Sequence, residues 1–291
     1  MTFFQKNDIL NAVPAKEPGQ TRFLIFSDLH LGLLPVRFGQ LLNKRILGVS
    51  NHLIRRRYKV RVERIAALAA RMPAIDADVT VCAGDLASAS LPDEFEWAAR
   101  ELEPIRNASH GSFFYVPGNH DAYVREPEAE NALELVFKKL NDGRFTLKSL
   151  PVAVAYSGLR LILLNPARPC GWMLSCGYLD ASQSGGMSRL LADGAGDGVA
   201  NVIVSHFPAL DANGAFPGMR HGLRGAHLIA EALHSGKAAA VLSGHVHKPY
   251  SYAFANGGAQ LCCGSLTMAG TCMVADFGEG RLQRHFTLKI D

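Results

Sequence analysis

The sequence predicts an α/β fold with an antiparallel β flank, and three observations carry that expectation. Short apolar runs alternate with segments of helical period up to Pro249. Most of the runs stop at loops rich in Asp, His or Asn. Beyond Pro249 the helical period gives way to short strands separated by glycine-rich turns.

Arg22–Ser27 (RFLIFS) is an apolar run ending in a polar loop, as a buried strand would be. Val79–Ala83, Ser112–Val116, Arg160–Leu164, Val199–Ser205 and Ala238–Ser243 read the same way. Between them, helices are expected over Val60–Met72, Asp93–Asn107, Pro127–Leu140, Ala181–Ala192 and Ala226–Ser235. Asp93 and Ser182 suit N-cap positions. The late strands are expected at Tyr250–Ala255, Gln260–Cys263, Thr271–Phe277 and Leu282–Leu288. Residues 1–21 read as a partly flexible lead-in to one folding unit over 22–291, with no internal repeat and no dividing linker. Gly194–Gly198 (GAGDG) precedes a strand, so a helix-to-strand turn fits it better than a dinucleotide fingerprint. The sequence has no P-loop and no HExxH helix, and no cysteine is followed six residues later by Arg, against a cysteine-phosphatase loop.

The 291 residues are 48% hydrophobic and 19% charged, ordinary for a globular chain. No apolar run approaches the roughly 18 residues that span a bilayer. The N-terminus lacks a basic region followed by a long apolar stretch, so no secretory signal is expected. Six cysteines at irregular spacing contain no CxxC pair, and Cys82 and Cys272 sit in apolar runs as core residues would. A reducing, cytoplasmic setting is the expectation. Net charge is +4, but Arg37–Arg64 holds nine Lys/Arg against Glu63 alone, which makes that segment +8 and the remainder −4.

Five of the strands end in chemistry-bearing residues. Arg22–Ser27 is followed by Asp28-Leu29-His30, and Val79–Ala83 by Gly84-Asp85. Ser112–Val116 is followed by Pro117-Gly118-Asn119-His120-Asp121, Val199–Ser205 by His206, and Ala238–Ser243 by Gly244-His245-Val246-His247. Open α/β sheets place their sites at this edge. Each fragment alone also reads as a turn, since Pro, Gly, Asn and Asp suit turn conformations. Together they supply carboxylates, an amide and neutral imidazoles, which is the donor set of a pair of divalent metals. In an extended segment, residues i and i+2 of DxH and HxH would point to one side.

These motifs, in this order, resemble the calcineurin-like metallophosphoesterase superfamily from about Arg22 to the C-terminus. The resemblance implies a four-layer α/β/β/α sandwich of two sheets flanked by helices. It further implies two divalent ions (Mn, Fe or Zn), the first held by Asp28, His30, Asp85 and His247. Asp85 would bridge to the second, held also by Asn119, His206 and His245. His120 would be the acid or orienting group, with Asp121 as its support. Two cations about 3.5–4 Å apart would lower the pKa of a shared water and clamp the phosphoryl oxygens.

His206-Phe207-Pro208 resembles the His-x-Pro step of the class III cyclic-nucleotide phosphodiesterase branch. Lipid-A-pathway pyrophosphatases tend instead to carry Arg where this chain has His120. Hydrolysis of a phosphodiester or a phosphomonoester is therefore the leading expectation, with the resemblance favouring the phosphodiesterase branch. A pyrophosphatase on a lipid-linked or nucleotide-sugar substrate, and a catalytically silent metal-binding scaffold, are the alternatives. Phe38, Leu41, Leu42, Ile46, Val49 and Leu53 recur at helical spacing, with Lys44 and Arg45 off that face. This basic helical insertion, about residues 36–60, either packs on the domain with a solvated end or meets an anionic substrate or membrane surface. Nucleic acid is disfavoured, because the remainder is acidic and aromatic interleaving is sparse. The loop Asn165–Asp180, with Arg168, Trp172 and Tyr178, either overhangs the metals or is a plain surface loop.

Overall fold

A computed structural model describes residues 9–34, 44–46, 50, 58–193 and 199–291. Most of the helix expected over Phe38–Leu53, the arginines Arg55–Arg57 and the Gly194–Gly198 turn lie outside them. Arg45, Ile46 and Ser50 are helical.

In chain order the described elements are β1 (Ile9–Leu10), β2 (Thr21–Phe26), α1 (Glu63–Ile75), β3 (Val79–Cys82), α2 (Pro92–Glu101), α3 (Glu103–Ala108) and β4 (Phe113–Tyr115). Next come α4 (Pro127–Leu140), β5 (Val152–Tyr156), β6 (Leu159–Leu163), β7 (Gly177–Tyr178), α5 (Ala181–Asp193), β8 (Ala200–Val204) and β9 (Leu223–Arg224). The chain closes with α6 (Ala226–His234), β10 (Ala240–Ser243), β11 (Pro249–Ala253), β12 (Ala259–Cys263), α7 (Leu266–Ala269), β13 (Thr271–Gly278) and β14 (Arg281–Lys289).

Two six-stranded sheets result, ordered β1-β14-β13-β2-β3-β4 and β11-β12-β10-β8-β6-β5. The period of two along each strand shows how they stack. Leu161 and Leu163 of β6, Val202 and Val204 of β8, and Ala240 and Leu242 of β10 pack with Phe23, Ile25, Val81 and Phe114 of the first sheet. Ile162, Ile203 and Val241, between them in sequence, pack instead with Met187 and Leu191 of α5 and Ile229 and Leu233 of α6. The first sheet is covered by α1 to α4, whose Ile65, Leu68, Phe95 and Phe137 join its core. The order is helices, sheet, sheet, helices. Strands buried on both faces explain the unbroken apolar runs.

The late strands differ from the expected flank. They do not form one layer: β11 and β12 extend the second sheet, with β12 parallel to β10, while β13 and β14 extend the first. Strand periodicity carries no information about which sheet a strand joins. The helix expected over Asp93–Asn107 is interrupted at Leu102, and α3 begins with Pro104 in its first turn, where the missing N–H does no harm. Asp93 lies inside the first turn of α2 behind Leu91 and Pro92, so it is not the cap. At α5 the capping carboxylate is Asp180, which accepts from Gln183 N at 2.9 Å, in place of Ser182. The lead-in is tied down where described. β1 pairs with β14, and Lys16 Nζ lies 2.8 Å from Asp78 Oδ1. No described helix is long and apolar enough to cross a membrane.

One polar cluster locks the first sheet. The buried Arg22 guanidinium binds Asp276 through both carboxylate oxygens, at 2.7 and 2.8 Å, and donates to Ile75 O at 3.0 Å. Arg284 Nε adds a further bond to Asp276 at 2.6 Å, so β2, β13 and β14 share one carboxylate. Asp276→Ala leaves a buried guanidinium without its partner and should lower unfolding stability by about 3–5 kcal/mol. Urea denaturation reads this, and a loss within the range of a surface ion pair, below about 1 kcal/mol, would refute the role assigned to the cluster.

Candidate metal centre

The carboxyl-end loops of β2, β3 and β4 are stitched together beyond the sheet. Asp28 N donates to Gly84 O (2.9 Å), His30 N to Asp85 O (3.0 Å) and Leu31 N to Leu86 O (2.9 Å). Within that lacing the backbone is not extended. Asp28, His30, Asp85, His245 and His247 have φ of 57°, 48°, 59°, 73° and 61°. The same-side argument from an extended DxH and HxH therefore does not apply; left-handed turns aim these side chains. Such conformations cost roughly 1–3 kcal/mol each and concentrate where a site over-determines the chain. Gly118 and Gly244 allow the loops to meet, because a Cβ at either would collide with Asp85 Oδ1 or with Ser27 and Asp28.

Asp28, His30, Asp85 and His247 each present one donor atom within 4.8 Å of the others. His30 Nε2 lies 2.9 Å from His247 Nε2, and Asp28 Oδ1 lies 3.2 Å from His247 Nε2 and 3.5 Å from His30 Nε2. Asp28 Oδ2 accepts from Ser27 Oγ and from His245 N (2.9 Å), whereas the buried Oδ1 has no hydrogen-bond partner. A buried carboxylate oxygen facing two imidazole nitrogens fits a cation, and the mixed oxygen and nitrogen donors suit a divalent metal.

A second group adjoins the first through Asp85. Its Oδ2 lies 3.6 Å from His30 Nε2 and 3.4 Å from His206 Nε2. His206 Nδ1 faces Ala83 O at 2.6 Å; a carbonyl can only accept, so Nδ1 carries the proton and Nε2 faces inward, 3.2 Å from Asn119 Oδ1. The His245 ring lies 5.2 Å from that of His206, and its Nε2 donates to His221 O at 2.8 Å. That leaves His245 Nδ1 for the centre.

Electrostatics follow from burial among opposite charges. Burial works to lower the pKa of His206, yet the Asp85 carboxylate raises it to about 9. Burial, helped by the charge on His206, lowers His245 to about 4. Burial opposes ionisation of Asp28 and Asp85, but imidazoles hold both well below the usual carboxylate range, His247 foremost for Asp28 and His206 for Asp85.

His120 projects into the same cleft of about 410 Å³, with Asp85, Asn119, Ser175, Pro208, Pro217, His221, His245, Val246 and His247 also lining it. Its Nδ1 donates to Ser88 O at 2.7 Å, and its ring stacks on Tyr123 at 5.0 Å and 12°. The expected support from Asp121 takes another form. The buried Asp121 carboxylate accepts from Asp85 N (2.8 Å), Gly118 N (2.9 Å), Ala87 N (3.0 Å) and Tyr115 Oη (2.8 Å). It holds the backbone of the Asp85 and Asn119 loops together. Burial and the Asp85 charge raise its pKa to about 6.

Several contributors were not legible from the motifs. Ser265 Oγ binds Asp28 O at 2.7 Å and Thr267 Oγ1 binds Leu29 O at 2.8 Å, which fixes the first loop from α7. Arg45 from the basic segment is buried, not solvated: it donates to Ala89 O and Ser90 O and pairs with Glu126. Lys44 Nζ donates to Leu174 O at 2.8 Å and lies 4.6 Å from the Tyr123 ring centroid. The loop Asn165–Asp180 does border the cleft, through Ser175. Arg168 instead pairs with Asp180 at 2.7 Å, and Trp172 and Tyr178 are exposed.

A family model described as calcineurin-like phosphoesterase matches residues 21–249. No curated protein matches the chain. Among solved structures, similarity extends to a dimetal phosphatase from Danio rerio, at 13% identity and TM-score 0.56, over 93% of this chain and 99% of that one. A purple acid phosphatase from yellow lupin (Lupinus luteus) seeds gives 12% identity and TM-score 0.57, over 94% of this chain and 54% of that one. A 5'-nucleotidase precursor from Thermus thermophilus gives 16% and 0.52, over 93% and 54%. The chain thus spans about half the length of the last two. At these identities the likeness is one of fold.

Elemental analysis after reconstitution with Mn, Fe or Zn should find two ions per chain, and Asp85→Ala should lose both while Asn119→Ala keeps one. Retention of both ions by Asp85→Ala would refute the shared carboxylate. Asp121→Ala strands four donors, and should cost about 3 kcal/mol or more and reduce metal content. Tyr115→Phe, removing one donor, should cost about 1 kcal/mol and keep the metals.

Proposed function

The chain belongs to the calcineurin-like phosphoesterase family, and we propose that it hydrolyses a small phosphodiester, of the cyclic-nucleotide type, at a centre of two divalent ions. One observation carries this reading: Asp85 Oδ2 stands between His30 Nε2 at 3.6 Å and His206 Nε2 at 3.4 Å, with ligand-type residues on both sides. Asp28, His30 and His247 would hold the first ion with Asp85; Asn119, His206 and His245 would hold the second with it. When bound, such a pair supplies an acidified water and charge neutralisation at the phosphoryl oxygens.

The chain's own groups do the rest. With Nδ1 donating to Ser88 O and its ring in the cleft, His120 is the group that would orient or protonate the departing oxygen. Asp121 and Ser90 hold its loop: Ser90 Oγ donates to His120 O at 2.8 Å and to Asp121 O at 2.9 Å. The organic part of a substrate meets Pro208, Pro217 and Val246 along the cleft wall, and a cleft of about 410 Å³ suits a nucleotide-sized molecule. The His206-Phe207-Pro208 step and the imidazole at position 120 support the phosphodiesterase branch over the pyrophosphatases.

A second reading, a lipid-linked substrate at an anionic membrane surface, has its own support. Trp172 and Met173 on one loop bordering the cleft, and Phe216 and Met219 on the other, are 57%, 63%, 57% and 79% exposed. Met173 O accepts from Arg220 Nε at 2.9 Å, so the two loops meet. Exposed apolar side chains with a lysine at hand, here Lys44 on Leu174 O, are a membrane-surface signature.

The metal-loaded protein should release p-nitrophenol from an aryl phosphodiester, and a chelator should abolish the reaction. An inert, metal-loaded protein would favour the silent scaffold. His120→Ala should keep both ions while slowing turnover about 10²–10⁴-fold; loss of the ions would make His120 a ligand. Profiling cyclic nucleotides against lipid-linked pyrophosphates decides between the two substrates. Trp172→Ser with Met219→Ser, and separately neutralised Arg55, Arg56 and Arg57, should weaken sedimentation with anionic vesicles only if the lipid reading holds.

A further inference from the structure

Cys170 and Cys176 stand apart from the chain's other cysteines. Cys82, Cys262, Cys263 and Cys272 are fully buried, and burial pushes the Cys262 and Cys272 thiols up to about 12. Cys170 is partly exposed, and its Sγ lies 3.5 Å from Cys176 Sγ and 2.9 Å from Cys176 O. The Lys44 ammonium, on Leu174 O between them in sequence, is a cation beside both thiols. Burial and the neighbouring thiol raise the pKa of Cys170, and Lys44 opposes this.

The segment they bracket forms one wall of the cleft. Ser175 N donates to Arg220 O (2.9 Å), Gly177 N to Gly222 O (3.1 Å) and Leu179 N to Arg224 O (3.0 Å). His221, inside that lacing, gives its carbonyl to His245 Nε2 at 2.8 Å. Gly177 lies so close to the Phe207 ring that a Cβ there would overlap it, and Phe207 follows His206. A covalent change at residues 170–176 is therefore two hydrogen-bonded steps from His245.

We propose that Cys170 and Cys176 are a reversible dithiol–disulfide site, and that oxidation displaces the Ser175–His221 wall and slows hydrolysis. With hydrogen peroxide as oxidant, the Cys170 thiolate attacks one peroxide oxygen and the O–O bond breaks. This leaves a sulfenic acid and, after protonation, one water. The Cys176 thiolate then attacks that sulfur, forms the S–S bond and expels hydroxide, which takes up a proton from solvent as the second water. Two thiols lose two electrons, and the peroxide gains them. The sulfurs must close from 3.5 Å to about 2.05 Å, and on this proposal the closure draws on the segment carrying Leu174 and Ser175. A small thiol reverses the bond by exchange. The thiol chemistry is independent of the phosphoesterase reading; only the effect on turnover rests on it.

The test is peroxide treatment of the full, metal-loaded chain, followed by alkylation and peptide mapping. The expected product is a Cys170–Cys176 linked peptide lighter by two hydrogens, with the other four cysteines alkylated after denaturation. Hydrolysis of the aryl phosphodiester should fall about tenfold or more and return with dithiothreitol. Cys176→Ser and Cys170→Ser, made separately, should keep the reduced rate and lose the peroxide response, which separates this site from oxidation of the metals. Absence of the linked peptide, or a linked protein with unchanged rate, overturns the proposal. Should the reduced protein not hydrolyse the ester, the phosphoesterase reading fails. The linked peptide and a change in Trp172 emission then decide the redox site alone.

Discussion

Two carboxylates buried where the strand-end loops of the two β-sheets meet impose the constraint around which this molecule is arranged. Asp28 and Asp85 are 0% and 1% exposed, and Asp28 Oδ1 has no hydrogen-bond partner. Burying carboxylates this deeply is costly unless positive charge accompanies them. Four imidazoles from both sheets converge on them, and Asp28 Oδ1, facing two imidazole nitrogens, is placed as a donor to a cation would be. Left-handed backbone at Asp28, His30, Asp85, His245 and His247 is the conformational cost of that convergence.

The surroundings act to keep those turns in place. Asp121 gathers four donors from the Asp85 loop, Gly118 and Tyr115, while Ser265 and Thr267 bind the carbonyls of Asp28 and Leu29. Arg45 binds the carbonyls of Ala89 and Ser90, where a planar guanidinium offers several donors in fixed directions. Such contacts orient the candidate metal-binding side chains without being donors to the centre themselves. Their removal should therefore be felt in geometry and metal content first.

Much of this was legible in the chain. DLH, GD, GNHD, the histidine after β8 and GHVH each end an apolar run, and strand ends in an α/β fold lie at one edge, so their meeting was foreseeable. The role of Asp121 was less so, because its neighbour His120 suggested an imidazole partner and the partner proved to be Ser88 O. His221 carried no signal at all: it acts through a backbone carbonyl, which every residue has. The basic segment misled in part, since periodicity placed Arg45 off the apolar face and only the fold shows carbonyls waiting there.

By itself the sequence determined most of the strands, most of the helices, the donor set and the order in which it occurs. These are local matters, set by side-chain period, by glycine and proline, and by chemical type. Tertiary structure decided that β11 and β12 join one sheet and β13 and β14 the other, that one oxygen of Asp85 stands between His30 and His206, and that Cys170 and Cys176 face each other beside the cleft. Those outcomes depend on contacts between residues far apart in the chain, or on turns no pattern encodes. Burial energy selects them only once the whole core is assembled.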